Sequence, residues 1–194
     1  MKKIVLLVIA AVAFCISANA QIVSSHYYDM HGSPYFRADI MKSTRGDYHG
    51  AGINAAFGYY IPLLRSNFFY APEIGLTSRI GSDRDSDEQY YNSYFGLGLK
   101  VVPLQLGYSL ELASNLSINP RIGMAAAFIP IGSITHQGSG ESKSSTPWDK
   151  YFEMISPLYQ IGCDVAMRDN NLILSFVMEQ GSFTQFGVGL GIMF

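Results

Sequence analysis

The stretch Thr184-Gln185-Phe186-Gly187-Val188-Gly189-Leu190-Gly191-Ile192-Met193-Phe194 decides how this chain folds. Phe186, Val188, Leu190, Ile192 and Phe194 fall on one face of a period of two, and Gln185, Gly187, Gly189, Gly191 and Met193 on the other. A period of two is the mark of a β-strand, whose side chains alternate between faces. Neither face is that of an ordinary half-buried strand. One carries bulk without polarity, as a surface against an apolar medium would, and the other is mostly hydrogen where crowding is to be expected.

The rest of the chain supports an apolar surrounding. Of 194 residues 48% are hydrophobic and only 14% charged, with a formal net charge of -2; ordinary soluble domains carry about 25% charged residues. A near-neutral chain gives nucleic acid nothing to bind, and no nucleic-acid partner is expected. After residue 20 no run reaches the roughly 18 consecutive apolar residues of a spanning helix. The longest candidate, IGMAAAFIPI (122–131), is interrupted by Gly123 and Pro130. In lipid only helices and closed barrels satisfy every backbone group, so strands remain.

The beginning, MKKIVLLVIAAVAFCISANA (1–20), has Lys2 and Lys3, an apolar run from Ile4 to Phe14 and the triplet Ala18-Asn19-Ala20. That is the pattern of a secretory signal peptide cut after Ala20. Residues 1–20 are expected to be removed and residues 21–194 to form one barrel domain. Cys15 suggests lipidation instead, but Phe14 stands where a small residue is normally required. Cys163 would then be the single cysteine of the mature chain, so no internal disulfide is expected.

A strand that crosses a bilayer at a tilt needs about 9 to 11 residues. Alternation places eight of them at 34–43, 51–62, 68–80, 93–112, 116–132, 157–168, 171–179 and 184–194. In the fifth, Ile118, Pro120, Ile122, Met124, Ala126 and Phe128 oppose Asn119, Arg121, Gly123, Ala125 and Ala127. In the fourth the phase flips near Val101 and Val102, which predicts a bulge beside Pro103. The face opposite the apolar one is Gly and Ala with single charges, too poor in Lys, Glu, Ser and Thr to meet water. It belongs to a narrow lumen, and Leu, Ile, Val and Phe face lipid. The fold class is therefore all-β, an eight-stranded antiparallel transmembrane up-and-down barrel.

Connections sort by length as an outer-membrane barrel requires, with short periplasmic turns and longer external loops. LLRSN (63–67), ASN (113–115) and DNN (169–171) are short; TRGDYHG (44–50), SDRDSDEQYYN (82–92) and HQGSGESKSSTPWDKYFEMIS (136–156) are long, and QGSF (180–183) is tight. Phe68, Phe69 and Tyr70, then Tyr90, Tyr91, Tyr94 and Phe95, and then Trp148, Tyr151 and Phe152 suggest interfacial aromatic girdles. The runs GINAAFGYYIPLLRSNFFYAPEIGLTSRIGS (52–82), YFGLGLKVVPLQLGYSLEL (94–112) and NLSINPRIGMAAAFI (115–129) resemble the small porin-like outer-membrane β-barrel domain family common in Bacteroidetes. The resemblance covers about residues 50–132 and the terminal strand. It implies an eight-stranded barrel with no assigned chemistry. By the same likeness Phe186, Val188, Leu190, Ile192 and Phe194 form the terminal signal read by the barrel-assembly machinery.

Alternation turns Arg37, Asp39, Glu73, Arg79, Lys100, Glu111, Arg121, Asp164, Arg168 and Glu179 inward, nearly balanced in sign. An eight-stranded barrel is just wide enough to be filled by side chains, so these charges predict an ion-pair network that plugs the lumen rather than a pore. Arg121 is expected to pair with Asp164 or Glu73. Other patterns carry less. GVGLG (187–191) lacks the following helix that a phosphate loop needs. HYYDMH (26–31) offers His26, Asp29 and His31 without further ligands, and His49 and His136 stand near loop bases with no nucleophile at informative spacing. No catalytic residue, metal or cofactor is expected. The chain reads as a monomeric, non-enzymatic outer-membrane protein in contact with lipid and lipopolysaccharide, with surface loops for binding or for an envelope-structural role. A small-solute channel, a secretion-assembly component and a lipid-modifying enzyme are the alternatives.

Overall fold

A computed structural model describes residues 33–45, 48–63, 66–84, 91–138, 141–145, 155–181 and 183–194. The signal-peptide pattern, His26, Asp29, His31, Tyr90, Trp148, Tyr151 and Phe152 lie outside the described residues. The strands are β1 (Ser33–Arg45), β2 (Tyr48–Pro62), β3 (Phe68–Tyr70), β4 (Glu73–Arg84), β5 (Tyr91–Tyr108), β6 (Leu110–Ala113), β7 (Leu116–Gly138), β8 (Glu141–Ser145), β9 (Ile155–Met167), β10 (Leu172–Gln180) and β11 (Thr184–Met193). β3 and β4 form one stave interrupted at Ala71 and Pro72, and β5 and β6 another interrupted at Ser109. Every pairing is antiparallel between chain neighbours except one. β1 pairs with β11 over the register Tyr35↔Met193 to Thr44↔Thr184, and this closes eight staves into a ring.

The two faces differ as alternation predicts. Outward residues include Ile40, Ile53, Leu76, Ile80, Leu99, Leu106, Ile122, Phe186, Val188 and Leu190, all exposed, and Leu190 is 67% accessible. No water-facing surface gathers such a belt, whereas a lipid-facing one requires it. No helix among the described residues is long and apolar enough to cross a membrane. Closure leaves no sheet edge along the membrane-spanning part, so the backbone polar groups pair strand to strand.

The phase change in β5 is a bulge: the β5–β7 register shifts between Val101 and Leu104, and Pro103 and Leu104 are both exposed in succession. A second shift lies between Leu97 and Leu99, opposite Phe128 to Ile131, where β7 takes up the extra residue beside Pro130. Proline has no N–H for the ladder, and a bulge is where a strand tolerates it.

Three connections differ from expectation. Strand pairing continues to Arg45↔Tyr48, so the stretch 44–50 is mostly strand and only residues 46 and 47 separate β1 from β2. β4 and β5 remain paired to Arg84↔Tyr91. β7 runs on to Gly138 and is met by β8, with Ile134↔Ser145 and Gly138↔Glu141. Each strand outlasts its hydrophobic pattern, because beyond the lipid both faces meet water and the alternation that betrays a strand disappears while the ladder continues.

Candidate functional site

The candidate site is the barrel interior. β1 supplies its spine: Tyr35, Arg37, Asp39, Met41 and Ser43 point inward, and each is 2% accessible or less. Across the seam the three central ones meet glycines: Arg37 faces Gly191, Asp39 faces Gly189 and Met41 faces Gly187, while Tyr35 faces Met193 and Ser43 faces Gln185. A Cβ on Gly189 would collide with the Asp39 carboxylate and the Ala38 carbonyl, and one on Gly187 with the Met41 sulfur. The same complementarity recurs at Tyr35 beside Gly58, Phe69 beside Gly107 and Arg121 beside Gly162. Glycine in the closing strand therefore makes room for the long inward side chains of the strand it meets.

At the end holding Ser33 and Phe194 the lumen is floored by aromatics. Tyr35 and Tyr60 stack with ring centroids 4.4 Å apart, and Phe69 meets Tyr60 edge-on at 5.1 Å; Ala71 and Ile173 complete the cluster. The two phenols reach upward out of this layer. Tyr35 donates to Glu73 Oε1 at 2.6 Å, and Tyr60 donates to Asp164 Oδ2 at 2.7 Å.

Those two carboxylates are shared by two guanidinium groups. Arg121 donates from Nη1 to Glu73 Oε1 at 2.7 Å and from Nη2 to Asp164 Oδ1 at 3.0 Å, and reaches Gln105 Oε1 at 3.1 Å and Ser175 Oγ at 3.2 Å. Arg37 donates from Nη2 to Glu73 Oε2 at 2.9 Å, and its Nη1 lies 3.7 Å from Asp164 Oδ1. Asp39 lies 2.9 Å from Arg37 Nε, but neither of its oxygens is aligned to accept a hydrogen bond, so charge alone joins that pair. Nearer the other end Lys100 is paired with Glu179. The Gln185 amide, oriented by its neighbours, accepts from Arg79 Nε at 3.0 Å and donates to Glu179 Oε2 at 3.1 Å. Phe183, buried from the β10–β11 connection, lies under the Arg79 guanidinium at 5.6 Å toward that end of the lumen.

Arg37, Arg79, Lys100 and Arg121 are thus balanced by Asp39, Glu73, Asp164 and Glu179, all buried. Balance is what permits the arrangement, since an isolated charge in a dry interior would cost several kcal/mol. A void of about 10 Å³ beside Asn54, Glu73, Lys100 and Val102 has room for about one water.

Of the residues singled out in the sequence, these eight lie together in the lumen. Arg168 does not join them: β9 ends at Met167, and Arg168 begins a 3-10 turn where the strand's alternation no longer applies. It lies 3.6 Å from Glu111, both partly exposed at the barrel end. Two expected girdle members are also inside, because neighbours in a strand face opposite ways. Phe68 is outward while Phe69 is in the floor, and Phe95 is outward while Tyr94 is buried. Phe186, Val188, Leu190, Ile192 and Phe194 line the outer side of the closing strand. Tyr35, Tyr60, Gln105 and Ser175 join the network without carrying a charge that marks them in the sequence, although Tyr60 shares the parity of Asn54 and Tyr35 that of Arg37. Among the described residues no group of three or more His, Cys, Asp and Glu could hold a metal.

No family model matches the chain, and no curated protein matches it by sequence. Solved structures do resemble it in fold. The attachment invasion locus protein Ail of Yersinia pestis is 13% identical with a TM-score of 0.44, covering 84% of this chain and 97% of that one. Neisserial surface protein A is 11% identical with a TM-score of 0.41 over 84% and 97%. The N-terminal β-barrel domain of Pseudomonas aeruginosa OprF is 14% identical with a TM-score of 0.36 over 84% and 100%.

Proposed function

We propose that this chain is a closed, non-conducting and non-enzymatic barrel of the outer membrane, exported by a cleaved signal peptide, whose external connections bind a partner or brace the envelope. The observation that carries this reading is the lumen. Side chains from all around the ring fill it with a charge-balanced network, floored by Tyr35, Tyr60 and Phe69, with Phe183 buried toward the other end. A solute path would have to break several buried ion pairs at once, each of them costly to separate. The end with Ser33, Phe194 and the shorter connections is assigned to the periplasm, following the common orientation of such barrels.

Conductance decides the reading. Purified barrel added to a planar bilayer is expected to leave the membrane electrically silent at moderate voltage. Stable, uniform single-channel steps would overturn the closed barrel in favour of a small-solute channel.

Assembly gives a second test. Phe194 is 68% accessible, and its N–H donates to the Pro34 carbonyl at 2.9 Å across the β1–β11 seam. We assign to it and its outward neighbours the signal that the assembly machinery reads. Deleting Phe194 is expected to lower the heat-modifiable barrel recovered from outer membranes several-fold while export across the inner membrane continues. Equal recovery from mutant and parent cells would remove that role.

A further inference from the structure

On the outer wall, Lys42 stands apart. Among the described Lys and Arg side chains with an assigned accessibility, Arg37, Arg79, Lys100 and Arg121 are buried and Arg168 is partly buried, whereas Lys42 is exposed. It points away from the lumen, between inward Met41 and Ser43, and its register partners are Phe186 on β11 and Ala51 on β2. On the wall around Lys42 the apolar belt ends. Toward the barrel's middle the outward neighbours are Ile40, Val188 and Ile53; one step farther out they are Thr44, Thr184 and His49, with Thr44 paired to both Thr184 and His49. The sequence therefore changes from hydrocarbon-compatible to hydrogen-bonding groups within one pleat, and the ammonium sits at that change.

A lysine on the lipid face costs about 2–4 kcal/mol at the bilayer midplane but only about 0–1 near the interface, where its stem covers apolar wall and its head reaches polar groups. At that depth the anions available are lipid phosphates. Around Pro34 and Phe194, at the far end of the same wall, the described outward side chains Phe194 and Tyr59 are aromatic, exposed and without positive charge. The asymmetry selects one leaflet, and in the orientation given above it is the outer one.

We infer that Lys42, with the His49 imidazole at the next outward position of the neighbouring strand, forms a site for the phosphate of an outer-leaflet glycolipid of the lipid A type, with an acyl chain lying against Phe186 and Ile40. The inference rests on the outer-membrane reading and names the lipid contact within it. The Thr44 hydroxyl donates to the Thr184 carbonyl at 3.5 Å and the Thr184 hydroxyl to Gln180 Oε1 at 2.8 Å, so the Lys42 ammonium and the His49 ring are the groups left to meet a phosphate, which accepts from several directions.

The test uses the full mature chain refolded into phosphatidylcholine nanodiscs doped with diphosphorylated lipid A, dephosphorylated lipid A or phosphatidylglycerol, with bound lipid counted by native mass spectrometry. The parent is expected to retain diphosphorylated lipid A over both other lipids. Lys42→Gln should lower that retention about five-fold, and Lys42→Arg should preserve it. Equal retention by parent and Lys42→Gln would overturn the site, as would equal retention of phosphorylated and dephosphorylated lipid A. Retention of phosphatidylglycerol at the level of lipid A would overturn the glycolipid assignment. Heat-modifiable mobility in the same samples reports the barrel separately, so a lost lipid preference in an intact barrel bears on this site and not on the closed lumen.

Discussion

Replacing Arg121 with Met is expected to destabilise the barrel by about 3–5 kcal/mol, the loss typical when one member of a buried charge cluster is removed. The reason lies with what stays behind. Glu73 and Asp164 each take a hydrogen bond from Arg121, and neither can turn to water, because both are buried between the aromatic floor and the rest of the network. Tyr35 and Tyr60 would still donate to them, and Arg37 would still reach Glu73, so the deficit is an excess of negative charge more than a lack of hydrogen bonds. Removing a carboxylate as well should therefore return part of the loss. Urea titrations of the barrel in lipid, for Arg121→Met alone and with Glu73→Gln or Asp164→Asn, should give coupling energies of about 0.5–3 kcal/mol for each carboxylate. Strict additivity in both cycles would mean that Arg121 is not the centre of the network.

That both carboxylates meet Arg121 could not be deduced from sequence, and the obstacle is instructive. Counting from the apparent ends of the long connection, near Ile134 and Ser156, puts Arg121 and Asp164 at different depths. In the structure Phe128 is opposite Ile155, Asn119 opposite Asp164 and Arg121 opposite Gly162, so Arg121 and Asp164 are diagonal neighbours. The counted depths differ because β7 runs on past its last described pair with β9, Phe128 opposite Ile155, and there pairs with β5 and β8 instead, an offset that the two loop ends do not reveal. Facing, by contrast, was legible throughout the lipid-crossing parts. Parity alone turns Arg37, Asp39, Glu73, Arg79, Lys100, Arg121, Asp164 and Glu179 inward, and it turns Phe69 and Tyr94 inward as well, against the girdle that aromatic clustering suggests. Parity fails only where a strand ends, as at Arg168. Register is the missing quantity: it matches Asp39 with Gly189 and Tyr35 with Gly58, and a strand's own sequence does not contain its partner's offset.

The same logic of faces predicts that adjacent positions on two neighbouring strands fail in different ways. Ile122 is 62% accessible, points outward, and has Leu106 and Ile161 beside it in register. Arg at 122 would put a charge among hydrocarbon and is expected to cost about 2–4 kcal/mol near the midplane. Because the cost is one of depth, it should shrink in bilayers of shorter acyl chains, which bring the headgroups closer to that position. Gly107 pairs with Phe69 and directly follows Leu106, but it is inward, and a Cβ there would enter the Phe69 ring of the lumen floor. Gly107→Ala is thus an overpacking change of about 1–3 kcal/mol that is indifferent to bilayer thickness. It should be relieved in part by Phe69→Leu, a second change that Ile122→Arg would not feel, since Phe69 lies on the other side of the wall. Unfolding titrations of these variants in short-chain and long-chain lipids separate the two costs. A Gly107→Ala penalty that tracked bilayer thickness, or an Ile122→Arg penalty that ignored it, would mean that the barrel's inside and outside are assigned the wrong way round on these strands.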